Sequence, residues 1–496
     1  MTKTVKVNHE TQILKLATLS RLLLLTLTIL WRALLSPYDT SASLNPDCLA
    51  DPGAPQHSRN NPISSAIENG VVWDSVYFVR IAQCGYEYEQ SFAFLPLLPL
   101  CIRLLSHTVL APLVSVFGYR AVLALSGYVV SNVAFLLAAV YFYRLSVMIL
   151  KDPEVALRAS ILFCFNPASI FYSSIYSESL YALFSVGGLY YLMSGANNIA
   201  VICLAVSSCA RSNGVVNAGY FCFQTMYWAY DALFVKKRGY LAMQILICGA
   251  LRCVCIFIPF IAFQVYGYHN LCLGRSPEEM RPWCRARIPL LYNFIQSHYW
   301  GVGFLKYFQL KQLPNFLLAS PILSLALCSI IYYVTAQPKL VYLLGFQAFK
   351  EGKDFAPVPF PLETVPQSNS ASATIPEKPS SKTGNQNFRQ RKQIHREGNP
   401  AVLPLEYGSS VNSGYLSVYV LPFILQLSFM VATAFFVMHV QVATRFLSAS
   451  PSLYWFASYL MVSPGTGKRW GYLIWAYCTG YILLGSLLFS NFYPFT

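Results

Sequence analysis

Charge is what this chain has least of. Only 11% of its 496 residues are Asp, Glu, Lys or Arg, whereas a soluble domain uses about 25%. That shortage excludes a soluble globular protein of this size. A hydrophobic content of 55%, with 34 Phe, 34 Tyr and 8 Trp, points to a polytopic membrane protein. Acids are scarcest, 20 against 35 Lys and Arg, for a net charge of +15. The basic residues sit at the ends of apolar runs, where they set membrane topology. No basic-aromatic motif of a nucleic-acid reader accompanies them, so no nucleic-acid partner is expected. The fourteen cysteines contain no CxxC pair, which argues against a structural zinc or redox site. Most are small hydrophobes in apolar stretches, such as Cys203, Cys209, Cys248, Cys253 and Cys255. Cys272 and Cys284 share one loop, and their pairing is left open. No carboxylate pair has metal spacing, so no metal is expected. No internal repeat is visible, which disfavours a transporter built from duplicated halves.

What is present is a series of long apolar runs. The first, Ile13 to Leu35, follows Lys3 and Lys6, contains Lys15 and lacks a secretory cleavage pattern. It reads as an uncleaved first helix with a cytosolic N-terminus. The polar stretch up to about Gln90 holds seven acids and two arginines, and is assigned to the non-cytosolic side. Phe92 to Val116, broken by Pro96, Pro99 and Pro112, reads as a broken or re-entrant element. Further spans are expected near 119–143, 159–176, 180–195, 198–214, 215–234, 241–266, 315–336, 416–440 and 470–489. About ten transmembrane helices, all-α, is the resulting fold class. One membrane domain is expected, formed by 1–350, with luminal loop 36–92, and by 415–496. Residues 351–414, rich in Pro, Ser, Lys and Gln, should be a disordered cytosolic insert.

Five patches carry residues suited to chemistry. Trp73-Asp74, with Tyr77 close behind, puts a carboxylate beside aromatics. That pairing suits a sugar ring and a general base, although a solvated loop aspartate looks the same in sequence. The proline-rich run Phe92-Ala93-Phe94-Leu95-Pro96-Leu97-Leu98-Pro99-Leu100 is a site edge or a plain kink. Asn166-Pro167-Ala168 leads through hydroxyl-bearing residues to Tyr176-Ser177-Glu178, an acid that is a ligand group or a helix-dipole partner. Arg211-Ser212-Asn213-Gly214 sets an always-charged guanidinium in apolar sequence, where it grips a phosphate or snorkels. His439-Val440-Gln441, ending at Arg445, lines a cavity or anchors an interface.

Taken in order, these patches resemble the PIG-V family of glycosylphosphatidylinositol (GPI) mannosyltransferases. Tyr299-Trp300-Gly301-Val302-Gly303-Phe304-Leu305-Lys306-Tyr307, Gln312-Leu313-Pro314-Asn315 and Pro282-Trp283-Cys284 extend the likeness. It runs from about residue 15 to the C-terminus outside the insert. The chain departs from it at Val72 and Tyr77, where members carry histidines. The resemblance implies a GT-C-type endoplasmic reticulum enzyme with an acid in its first luminal loop. Its donor would be dolichyl-phosphate-mannose, with no separate cofactor, and its acceptor a GPI precursor glycolipid receiving its second mannose in α1,6 linkage. Asp74 is then the expected catalytic base. Trp73, Tyr77, Glu178, Arg211, Asn213, His439, Gln441 and Arg445 are the expected substrate contacts. A small accessory membrane subunit is left open. The alternatives are another dolichol-dependent transferase, a lipid transporter or a non-catalytic membrane subunit.

Overall fold

The computed structural model describes residues 8–38, 48–49, 62–274, 276, 278, 280–346, 414–493 and 495. The insert at 351–414 therefore lies outside the described residues, except Gly414. The described chain is helical almost throughout, as expected. Six of its helices are long and apolar enough to cross a membrane. They are α1 (His9–Leu34), α5 (Tyr119–Leu150), α10 (Gly239–Cys272), α12 (Leu313–Ala336), α13 (Leu421–Phe436) and α16 (Gly467–Ser490). The short segments α2 (Pro62–Asn69) and α3 (Ser75–Cys84) precede α4 (Leu97–His107). That helix bends by 71° into Ala111–Phe117, the broken element expected there, which would make a seventh span.

The sequence suggests about ten spans; among the described residues six helices, or seven elements with the bent pair, are long and apolar enough to cross. The remaining helices stand close to where they were expected but are short: α6 (Pro153–Cys164), α7 (Glu178–Met193), α8 (Asn197–Ala210) and α9 (Ala218–Tyr230). Helices α6 and α8 stop for local chemical reasons. Helix α6 ends at Asn166, whose carboxamide accepts the Ala168 N–H at 2.9 Å and donates to the Phe163 carbonyl at 2.8 Å. Such a turn offers the backbone an alternative to the helix. Helix α8 ends at Arg211, whose backbone is extended at φ −147° and ψ 148°. The next turn presses Gly214 so close that a Cβ there would lie 2.4 Å from the Ser207 carbonyl oxygen. After α11 (Leu291–Tyr299) and α14 (Ala443–Leu447), a further helix appears that the hydropathy pattern does not announce. This is α15 (Pro451–Val462), too short to read as a span and buried along most of its length.

Helix α5 is the hub. It packs against α7, α6, α4 and α1, while α7 lies on α8 and α8 on α10. Arg21 of α1 is almost fully buried without a carboxylate partner. It donates instead to the carbonyls of Cys164 and Ser169 and to the hydroxyls of Ser169 and Ser173, and lies 3.9 Å above the Phe135 ring. It thereby satisfies carbonyls that the breaks after α6 leave open.

The two ends of the bundle differ. At one end Arg144 pairs with Glu10, and Gly414 donates to the Leu150 carbonyl. Lys151 lies over Tyr419 there. At the other end Arg32 donates to the Ser490 carbonyl, and Trp73 to that of Phe489. Helix α1 separates these ends by about 39 Å at 1.5 Å per residue.

Candidate active site

Asp74 sits at the N-cap of α3, where an aspartate ordinarily accepts backbone N–H bonds, yet its carboxylate makes none. Two ties aim it elsewhere. Trp73 adopts a left-handed backbone (φ 53°) and donates from its indole to the Phe489 carbonyl at 3.1 Å. The Asp74 backbone N–H donates to the Tyr176 hydroxyl, also at 3.1 Å. A non-glycine residue in that region is strained, and such strain gathers at functional sites. Freed from capping, Asp74 Oδ2 accepts from Arg445 Nη1 at 3.1 Å.

Arg445 is carried by α14, just after the turn of His439 to Val442. Its Nε lies 3.9 Å from Glu178 Oε1, and the same oxygen is in close contact with Arg211 Nη1. Two carboxylates and two guanidiniums thus form one chain, Asp74–Arg445–Glu178–Arg211, drawn from four separate parts of the sequence. Arg445 also lies over the rings of Phe171 and Tyr176 at 5.3 and 5.7 Å. Burial pulls the Arg445 guanidinium down, but the Asp74 and Glu178 carboxylates outweigh it and hold it above the ordinary arginine value. Arg445 therefore stays charged throughout the range in which an enzyme works.

These residues line a cavity of about 440 Å³, within the range of small-molecule sites. Trp73, Asp74, Glu178, Arg211, Asn213, His439, Gln441 and Arg445, eight of the nine residues singled out in the sequence, all line it. Tyr77 is not among the residues that line it. Its ring is 38% exposed and stacks on Phe94 at 4.7 Å, and Phe94 takes the place on the wall.

Other assignments change in character. Gln441 Oε1 accepts from Tyr307 at 2.9 Å, and His439 faces the Trp300 carbonyl while packing on the Tyr307 ring. Both are thereby tied to the segment around Tyr299–Asn315. Asn213 is 8% exposed, and neither end of its carboxamide has a hydrogen-bond partner. Sequence reasoning missed Tyr176, Tyr292, Gln296, Phe489 and Phe495. Tyr176 stood inside a motif already noted. Tyr292 is fixed by its hydroxyl on Ser212 at 2.7 Å and its backbone N–H on Gln264 at 2.8 Å. Nothing in the apolar C-terminal run distinguishes Phe489 and Phe495 as wall residues.

Disulfides tie down this end of the molecule. Cys272 pairs with Cys284, one of the possibilities left open, and Cys48 pairs with Cys84, which the sequence did not suggest. The second clamps the polar loop to the end of α3. Arg281, in the segment after α10, is bonded to Glu89 at 2.8 Å. Glu89 also accepts from Trp283 and Tyr299, so the loop after α10 is stitched to the cavity rim. Among the described residues, one cluster gathers three potential metal ligands, Cys48, Cys84 and Glu87. Its sulfurs are held in the disulfide.

A family model described as Mannosyltransferase (PIG-V) matches residues 9–496. A human protein named GPI alpha-1,6-mannosyltransferase 2 is 29% identical over 91% of this chain and 84% of its own length. A Drosophila melanogaster protein named GPI mannosyltransferase 2 is 29% identical over 86% of each chain. A Gibberella zeae protein of that name is 32% identical over 60% of this chain and 71% of its own. No solved structure gives a significant match. The family match takes in every helix and every residue of the charged cavity, and the chain belongs to the PIG-V mannosyltransferase family.

Proposed function

We propose that this protein adds the second mannose, in α1,6 linkage, to a GPI precursor glycolipid, drawing it from dolichyl-phosphate-mannose at the luminal face of the endoplasmic reticulum membrane. The observation that carries this reading is the buried chain of charges: a carboxylate free of capping duty, next to two arginines in an aromatic-walled cavity. The relatives' names support the acceptor and the linkage. Two disulfides at the cavity end favour an oxidising compartment on that side.

The chemistry is a single inverting displacement. The acceptor hydroxyl oxygen bonds to the mannose C1 as the bond from C1 to the phosphate oxygen breaks, and its electron pair leaves with the phosphate. The hydroxyl proton passes to Asp74, a step worth about 10²–10⁴-fold. Arg211 and Arg445 stabilise the negative charge gathering on the departing phosphate. Trp73, Phe94 and Trp300 offer flat apolar faces to a sugar ring.

A cell line lacking the second GPI mannose provides the test. Wild-type protein should restore GPI-anchored proteins to the surface, and Asp74→Asn should fail to do so at equal abundance. Full rescue by a normally expressed Asp74→Asn variant would remove Asp74 as the base.

A further inference from the structure

The sequence presented Glu178 as a substrate contact. Its surroundings support a different role. It is 2% exposed, it stands at the first turn of α7, and both its carboxylate oxygens face inward without hydrogen-bond partners beyond the ion pairs. Its Oε1 meets Arg211 and lies 3.9 Å from Arg445, so it touches both cations that line the cavity alongside the base. With Asp74 counted, the four charges cancel. A phosphate can engage Arg211 only by sharing it with Glu178 or displacing that carboxylate.

We infer that Glu178 is the resting counter-ion of the phosphate-binding arginines, a positioning residue that yields to the donor phosphate and helps expel the product phosphate. This inference rests on the proposed role of Arg211 in holding phosphate. The need for such a group follows from charge. The donor is a phosphodiester with one negative charge. Transfer leaves a phosphomonoester that approaches two charges near neutral pH, because its second ionisation falls near pH 6. Two partly buried arginines grip the product more tightly than the substrate, and a competing carboxylate restores release. A carboxylate also keeps the empty cavity from holding two uncompensated guanidiniums, which burial penalises.

The test measures binding of dolichyl phosphate to detergent-solubilised full-length protein, alongside steady-state transfer. Glu178→Gln should bind dolichyl phosphate about tenfold tighter than wild type, the scale of one charge-assisted contact. It should also lower KM for the donor and lower kcat, with stronger product inhibition. A merely structural role predicts loss of abundance with KM unchanged or raised. The double variant Glu178→Gln with Arg211→Gln removes both charges and leaves neither side chain buried as a lone ion. It should bind dolichyl phosphate more weakly than Glu178→Gln alone. If the double variant binds as tightly as Glu178→Gln, Arg211 does not hold the phosphate and the underlying reading fails. If the double variant weakens binding while Glu178→Gln does not tighten it, the counter-ion role alone is overturned. Should Glu178→Gln not accumulate, Glu178→Asp keeps the charge but withdraws it by one methylene. It should tighten dolichyl phosphate binding in the same direction by a smaller factor, and unchanged or weaker binding overturns the role.

Discussion

Residue identity matters most where one side chain serves two partners. Arg211 closes the ion pair to a nearly inaccessible Glu178, and in the proposed reaction it turns its fork toward phosphate. Lysine keeps the charge but loses the planar fork. Arg211→Lys should therefore retain protein abundance and reduce transfer about tenfold or more, seen as accumulation of the singly mannosylated precursor. Arg211→Gln should be worse on both counts. It leaves Glu178 with only the more distant Arg445, a loss of about 3 kcal/mol when a buried pair is broken from one side. A Lys variant with wild-type transfer would mean that Arg211 merely snorkels. That distinction was not readable from sequence, where an arginine in an apolar run fits both roles. The carboxylate that separates them lies 33 positions away, at the start of another helix.

At the scale of elements, the site depends on helices that stop early. The breaks after α6 and α8 put Tyr176 and Arg211 on irregular backbone beside the cavity, with Glu178 at the first residue of α7. That arrangement is tolerated at membrane depth only inside the protein or against a cavity. Gly214 shows how closely the second break is packed, since its Cβ position falls 2.4 Å from a backbone oxygen that cannot rotate away. Gly214→Ala should cost about 1–3 kcal/mol as an overpacked contact. It should lower both abundance and activity, with the turn of Ser212 and Asn213 displaced. Thermal unfolding of the purified protein measures this directly, and a variant as stable as wild type would show that the turn relaxes freely. The Asn-Pro and the Arg-Ser-Asn-Gly motifs were visible in sequence. Their role as helix stops was not, because hydropathy continues across both breaks.

The whole molecule places the cavity and the flanks of residues 347–413 at opposite ends. Phe346 packs on Tyr227 and Tyr230, next to Lys236-Lys237-Arg238, and Gly414 bonds to Leu150. Both flanks of the residues 347–413 therefore meet the bundle at its basic end. The cavity lies toward the other, where Trp73 meets Phe489. Deleting 355–410 should leave mannose transfer within about twofold of wild type, because a segment that poor in apolar residues adds little to the core. Transfer assayed in microsomes checks this. A folded deletion protein in the right membrane that has lost activity would put the segment at the site. The excess of Lys and Arg outside the acidic first loop already implied this polarity from sequence.

Taken alone, the sequence determined the membrane class, the all-helical build, the acidic loop with its Trp-Asp, and, of the nine side chains it singled out, eight that line the cavity. Those features follow from composition, apolar periodicity and short motifs, all of which are local. Only the tertiary structure decided which charges pair, that Asp74 turns from capping toward Arg445, that Tyr77 stacks outside the cavity while Phe94 lines it, and that Cys48 finds Cys84. It also decided where the four short helices α6 to α9 begin and end. The reason is distance along the chain. Asp74 and Arg445 are 371 positions apart, and a contact of that kind leaves no periodicity in sequence. It exists only once the intervening helices have packed and burial has made an unpaired charge too costly to keep.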